Sequence, residues 1–107
     1  MRKKQLGMNG PEVSVVCFGT FPIGGGFGSV PRNQAIKTVH AALDAGINFI
    51  DTAEGYNDAE EILGEALADR RSEVFLATKT VPKCLHASQA RRGGYDLQCQ
   101  PASRSSY

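Results

Sequence analysis

A chain of 107 residues, 41% hydrophobic and 21% charged, has room for one domain of ordinary soluble composition. Its net charge of +1 excludes a strongly basic nucleic-acid binder, and no apolar run approaches the roughly 20 residues that span a bilayer. Three widely spaced cysteines make neither a disulfide framework nor a CxxC metal site, and no apolar segment follows the basic start at Arg2-Lys3-Lys4, so the expected compartment is the reducing cytoplasm, with no metal bound.

Asn9-Gly10 lies between Lys3-Lys4-Gln5-Leu6 and Val13-Ser14-Val15-Val16. Asn-Gly tolerates φ > 0 at both positions, so the spacing predicts a hairpin running into an apolar strand from Val13 to Phe18. Cys17 falls within that strand and is expected in the core. Gly19 closes the strand, and a loop of small residues follows from Thr20 to Val30. Its Gly24-Gly25-Gly26-Phe27-Gly28 run is not a G-x-G-x-x-G phosphate cradle and is better read as a flexible substrate loop. A helix is expected to start at Pro31 or Asn33, with Ile36, Val39, Ala42 and Leu43 as its buried stripe and His40 on its surface. Gly46 is placed to end it in the left-handed conformation.

Ile47-Asn48-Phe49-Ile50 then reads as a short buried strand ending at Asp51. After a loop from Thr52 to Asn57, Asp58 with Glu61 fits a capping box. The second helix buries Ile62, Leu63, Ala66 and Leu67, and Arg70 and Arg71 suit its C-terminal end. Val74-Phe75-Leu76-Ala77-Thr78 is a third apolar strand, ending at Lys79. Apolar strands alternating with amphipathic helices indicate an α/β fold, a parallel sheet covered by helices.

The alternation stops there. Residues 1–79 carry eight Lys/Arg against ten Asp/Glu, whereas residues 80–107 carry four Lys/Arg against Asp96 alone. The latter segment lacks Ile, Phe and Trp and contains Gly93-Gly94 and Ser103-Arg104-Ser105-Ser106. Disorder is its physical default, and so abrupt a change is expected of a truncated or frame-shifted product. Cys84 and Cys99 read as free thiols within it.

In parallel α/β folds, ligands bind at the C-terminal ends of the strands. Asp51 and Lys79 terminate successive strands, which lie about 4.8 Å apart, so an ion pair between them is expected. That pair alone could be purely structural. Tyr56 sharpens it: a nearby ammonium favours the phenolate, and a tyrosine beside Lys79 can serve as a general acid at neutral pH. A Schiff-base role for Lys79 is the weaker alternative, because Asp51 keeps the amine charged.

Gly46-Ile47-Asn48-Phe49-Ile50-Asp51-Thr52-Ala53-Glu54-Gly55-Tyr56, followed by Ala59-Glu60-Glu61-Ile62-Leu63-Gly64, resembles the signature of the aldo-keto reductases. Lys79 after Val74–Thr78, the N-terminal hairpin and Gly19-Thr20 match as well, so the resemblance covers about residues 2–80. It implies a TIM (β/α)8 barrel that reduces aldehydes and ketones with NADPH. This chain would hold only part of it: the hairpin, the first three strands and two helices, with a disordered tail. By the resemblance Tyr56 gives the proton to the carbonyl oxygen, supported by Lys79 and Asp51. Gly19, Thr20, Asp51 and Thr52 would line the cofactor.

Three departures accompany it, the smallest being Asn57 and Ala59, which stand where a family member often has glycine after the tyrosine and serine before the glutamate. The family's catalytic histidine has no counterpart, since His86 follows Lys79 too closely for a helix and a strand, and Gln100 would occupy its place. A barrel also needs about 250 residues, so the chain alone is expected to be inactive or nearly so. The alternative is a non-catalytic or binding product, since the potassium-channel β-subunits resemble the family too. The open edge of a three-stranded sheet would allow self-association.

Overall fold

The period-2 alternation of a strand sorts the side chains of this protein onto two unlike faces. Ile50 and Val74 are buried, while Phe75 remains 42% exposed. The computed structural model describes residues 1–80; the expectations for Cys84, His86, Cys99, Gln100 and the tail from residue 81 lie outside the described residues.

The chain begins with a hairpin, β1 (Lys3–Gln5) and β2 (Glu12–Ser14), paired antiparallel with Lys4 opposite Val13. Its turn is not built on Asn9-Gly10. Leu6 N–H donates to the Pro11 carbonyl at 2.8 Å, and the left-handed residue is Gly7, φ +73°. Gly10 instead packs so tightly on the Leu6 carbonyl that a Cβ would collide with it.

The predicted Val13–Phe18 strand is also two elements. Ser14 Oγ donates to the Val16 carbonyl at 2.6 Å, a local bond that competes with the extended ladder. The chain bends there and resumes as β3 (Phe18–Gly19). Cys17, in the bend, is exposed rather than in the core.

β3, β4 (Phe49–Asp51) and β5 (Phe75–Ala77) form a parallel sheet with β4 in the centre. Phe18 aligns with Ile50 and Ile50 with Leu76; Gly19 aligns with Asp51 and Asp51 with Ala77. Helices α1 (Arg32–Asp44) and α2 (Ala59–Ala66) pack on each other and on one face of this sheet. Their meeting surface is the core: Ala35, Val39 and Leu43 from α1, Ile62, Leu63 and Ala66 from α2, and Ile23, Ile50, Leu67 and Val74. On the other face, among the described residues, Phe49 is half-buried and Phe75 exposed.

The helix termini differ from expectation. Gly46 does end α1 at φ +94°. Asp58 precedes α2 but makes no side-chain cap, because its backbone (φ −88°, ψ 10°) is not the extended conformation that aims a cap at the helix. Arg70 and Arg71 lie beyond the helix. Arg70 bridges Asp44, at 2.9 Å, to Glu73, also at 2.9 Å. Arg71 donates to the Val74 carbonyl at 3.0 Å. His40 is half-buried rather than on the surface, with Nε2 2.8 Å from the Ala66 carbonyl; it ties α1 to the end of α2.

Asn48 fastens the hairpin beneath the sheet. Its Oδ1 accepts from Ser14 N–H at 2.7 Å, its Nδ2 donates to the Glu12 carbonyl at 3.1 Å, and its own N–H donates to Ser14 Oγ at 3.2 Å. Asn48→Ala removes the first two of these bonds. We expect a loss of about 1–3 kcal/mol, read as faster amide exchange at Ser14 with exchange at Ile50 little changed. Equal loss of protection at both would show that the hairpin and the sheet open together.

Candidate active site

The C-terminal ends of β3, β4 and β5 bring three of the sequence-predicted residues together. Asp51 is the last residue of β4. Lys79 lies two residues past β5, and its carbonyl accepts from Glu54 N–H at 3.0 Å, which prolongs the ladder and fixes where the lysine starts. Lys79 Nζ donates to both oxygens of Asp51, at 2.7 and 2.8 Å. The pair is partly solvated, with the two side chains 51% and 39% exposed.

Tyr56 stands in the loop between β4 and α2, held by turns on each side: Tyr56 N–H to the Ala53 carbonyl and Ala59 N–H to the Tyr56 carbonyl, both 3.0 Å. Lys79 Nζ is 5.2 Å from the centre of its ring, within cation–π range. The Phe21 ring meets the Tyr56 ring edge-on, centroids 5.2 Å apart, and Phe27 meets Phe21 in the same manner at 5.1 Å. Neither phenylalanine stood out in the sequence. Two Phe flanking a run of small residues, just after a strand end, were the available signal.

Thr20 is fully buried, and both its N–H and Oγ1 donate to the Asp51 carbonyl at 3.0 Å. It anchors the backbone that carries Asp51. Gly19 stands in register with Asp51, and a Cβ built on it would meet nothing within 4 Å. Thr52 is not part of this cluster. It is 1% exposed, its Oγ1 has no partner, and it lines a cavity of about 360 Å³ between α2 and β5 with Leu63, Leu67 and Leu76. Residues 20–28 are a run of tight turns closed by backbone bonds from Gly24, Gly25, Gly26 and Gly28, rather than an open flexible loop.

The hydrogen bonds that Lys79 donates to Asp51 hold the ammonium above the usual lysine range; partial burial opposes them, and the charge of Asp51 and the Tyr56 phenol add to them. Partial burial of the Cys17 thiol and the Asp51 charge raise it, with Lys79 opposing. Because Lys79 is raised, its pairing contributes fully below about pH 10.5 and is lost only as pH rises through the higher folded value. The Asp51–Lys79 pair is therefore expected to persist from pH 6 to beyond pH 10 in ¹⁵N spectra of the Nζ. Borohydride with an aldehyde at neutral pH should leave Lys79 unlabelled. Efficient trapping would favour the Schiff-base chemistry instead.

The family model for the aldo/keto reductase family matches residues 15–100 of this chain. The chain belongs to that family. Over 87 residues it is 45% identical to 6-dehydroglucose reductase of Novosphingobium aromaticivorans, a match covering 71% of this chain and 28% of that protein. Over 85 residues it is 41% identical to the NADH-specific methylglyoxal reductase of Escherichia coli, covering 74% of this chain and 26% of that protein. The solved holo form of aldo-keto reductase AKR11C1 from Bacillus halodurans superposes with a TM-score of 0.70 at 32% identity, over 89% of this chain and 30% of that one. This aldo/keto reductase chain thus spans between a quarter and a third of the length of these relatives. Its sheet and two helices are part of a TIM barrel. In that architecture helices cover the outside and side chains fill the interior, so the open face bearing Phe49 and Phe75 is the face that turns inward.

Proposed function

We propose that the cluster of Asp51, Tyr56 and Lys79 reduces aldehydes and ketones to alcohols with NADPH. The observation that carries this reading is the bidentate Lys79–Asp51 pair set against the Tyr56 ring. The bare backbone at Gly19 fits a nicotinamide: a flat ring could lie against the strand ends beside Asp51, where a side chain would fill the space. Gly19 and Asp51 would face it; Thr20, bonded to the Asp51 carbonyl, would hold their backbone in place, and Thr52 would contribute only through its packing under α2. When bound, NADPH supplies the hydride that the carbonyl carbon receives.

The chain's own residues handle the proton. Tyr56 donates its hydroxyl proton to the carbonyl oxygen, which becomes the alcohol oxygen. Lys79 stabilises the phenolate left behind, and Asp51 keeps Lys79 charged and in place. A cytoplasmic site of action belongs to the same reading, through the cysteine usage of the chain.

The test is a chimera in which residues 1–79 replace the matching segment of the 6-dehydroglucose reductase. It should oxidise NADPH in the presence of 4-nitrobenzaldehyde, and activity with NADH alone would correct the cofactor. Little or no turnover is expected of the 107-residue chain by itself. A folded chimera inactive with both cofactors would refute the reading.

A binding role is the second reading, favoured by the open face and by β3 and β5, which among the described residues have no further strand beside them. Size-exclusion chromatography decides it: self-association supports this reading, and a cooperatively melting monomer opposes it.

A further inference from the structure

Asn57 follows Tyr56 directly and has φ +51°, the one positive φ at a non-glycine among the described residues. An asparagine tolerates that conformation better than most side chains, but glycine would do so at less cost. What asparagine adds is its amide. Nδ2 donates to the Gly24 carbonyl at 3.0 Å, a bond between segments 33 residues apart in the chain.

The bond does not stand alone. Gly24 lies so close to the Tyr56 carbonyl that a Cβ there would collide with it, and the same Cβ would stand 3.2 Å from Ala59 Cβ. Gly26 lies against the Phe21 ring with no room for a side chain. Phe21 in turn presses edge-on against the Tyr56 ring. The turns of residues 20–28 and the Tyr56-Asn57 turn therefore interlock at three points: amide to carbonyl, backbone to backbone, ring to ring.

We propose that Asn57 is a positioning residue for Tyr56. By clamping Gly24 it holds the Phe21 ring against the phenol and fixes the phenol beside Lys79. The inference rests on Tyr56 being the acid only for its catalytic consequence; the clamp itself is a matter of geometry.

The test uses the full 107-residue chain with ¹³C-labelled Tyr and Phe. The Tyr56 signals are those lost in Tyr56→Phe, and the Phe21 signals those lost in Phe21→Leu. Asn57→Gly keeps the backbone conformation and removes the amide. It should lose at least half of the Phe21–Tyr56 cross-relaxation and move the Tyr56 ring shifts toward free tyrosine, while far-UV circular dichroism stays that of the parent. Asn57→Asp keeps the side-chain shape but sets a carboxylate against the Gly24 carbonyl, and should do the same.

Parent cross-relaxation and shifts in Asn57→Gly would overturn the proposal and leave Asn57 a turn residue. Loss of fold in both variants would also overturn it, because positioning leaves the fold intact. These signals need neither cofactor nor turnover, so they separate failure of the clamp from failure of the reductase reading. In the active chimera, Asn57→Gly should lower kcat by up to about 10²-fold with KM for NADPH unchanged.

Discussion

Tyr56→Phe in the chimera should lower kcat for 4-nitrobenzaldehyde by about 10²–10⁴-fold, the usual contribution of a positioned general acid. In barrier terms that is about 3–5 kcal/mol. The substitution is clean because phenylalanine keeps the ring. The edge contact with Phe21 and the approach of Lys79 to the ring face both survive, and only the proton donor is removed. KM for NADPH should therefore stay within about twofold, because the loss lies in the transition state rather than in binding. Lys79→Met makes the complementary test. It leaves the hydroxyl in place but strips Asp51 of its ion-pair partner, so kcat should fall with the fold intact. A loss below about tenfold in Tyr56→Phe would mean that the proton comes from elsewhere.

The Asp51–Lys79 pair was legible because both members are marked by their place. Asp51 and Lys79 end apolar runs, and strand ends are where parallel sheets present function. The buried stripe of α2 was legible for a similar reason: Ile62, Leu63, Ala66 and Leu67 recur at helical spacing, and all four are buried. What stayed hidden depends on contacts between distant segments. Cys17 sits in an apolar run, but Ser14 bonds locally to Val16 and bends the chain out of the ladder. Asn48, within a stretch that reads as strand, is the fastening of a hairpin more than 30 residues earlier. Thr52 adjoins Asp51 in sequence yet lines the cavity between α2 and β5, because alternate residues of a strand face opposite ways. The clamp from Asn57 to Gly24 has no local signature at all, since periodicity describes neighbours and the clamp joins two loops.

The same alternation yields the largest expected effect on stability. Ile50 is fully buried at the centre of β4, between Phe18 and Leu76 and beneath both helices. Ile50→Ala should cost about 2–5 kcal/mol, the transfer term plus the cavity left behind. A body this small has little to spare, since folded domains hold only about 5–15 kcal/mol in all and small ones less. Urea unfolding followed at 222 nm should show the midpoint collapse or the transition lose its cooperativity. Phe75 is the control on the opposite face. Larger than Ile50 but 42% exposed, it should cost less than about 1 kcal/mol when replaced by alanine in the 107-residue chain. In the chimera the same Phe75→Ala change should cost about 3–5 kcal/mol, because there the face is closed by the rest of the barrel. The difference between the two backgrounds is the decisive quantity. If Phe75→Ala costs as little in the chimera as in the chain alone, the open face does not become a barrel interior there. If it costs as much in the chain alone, a second copy or another part of the chain already covers that face.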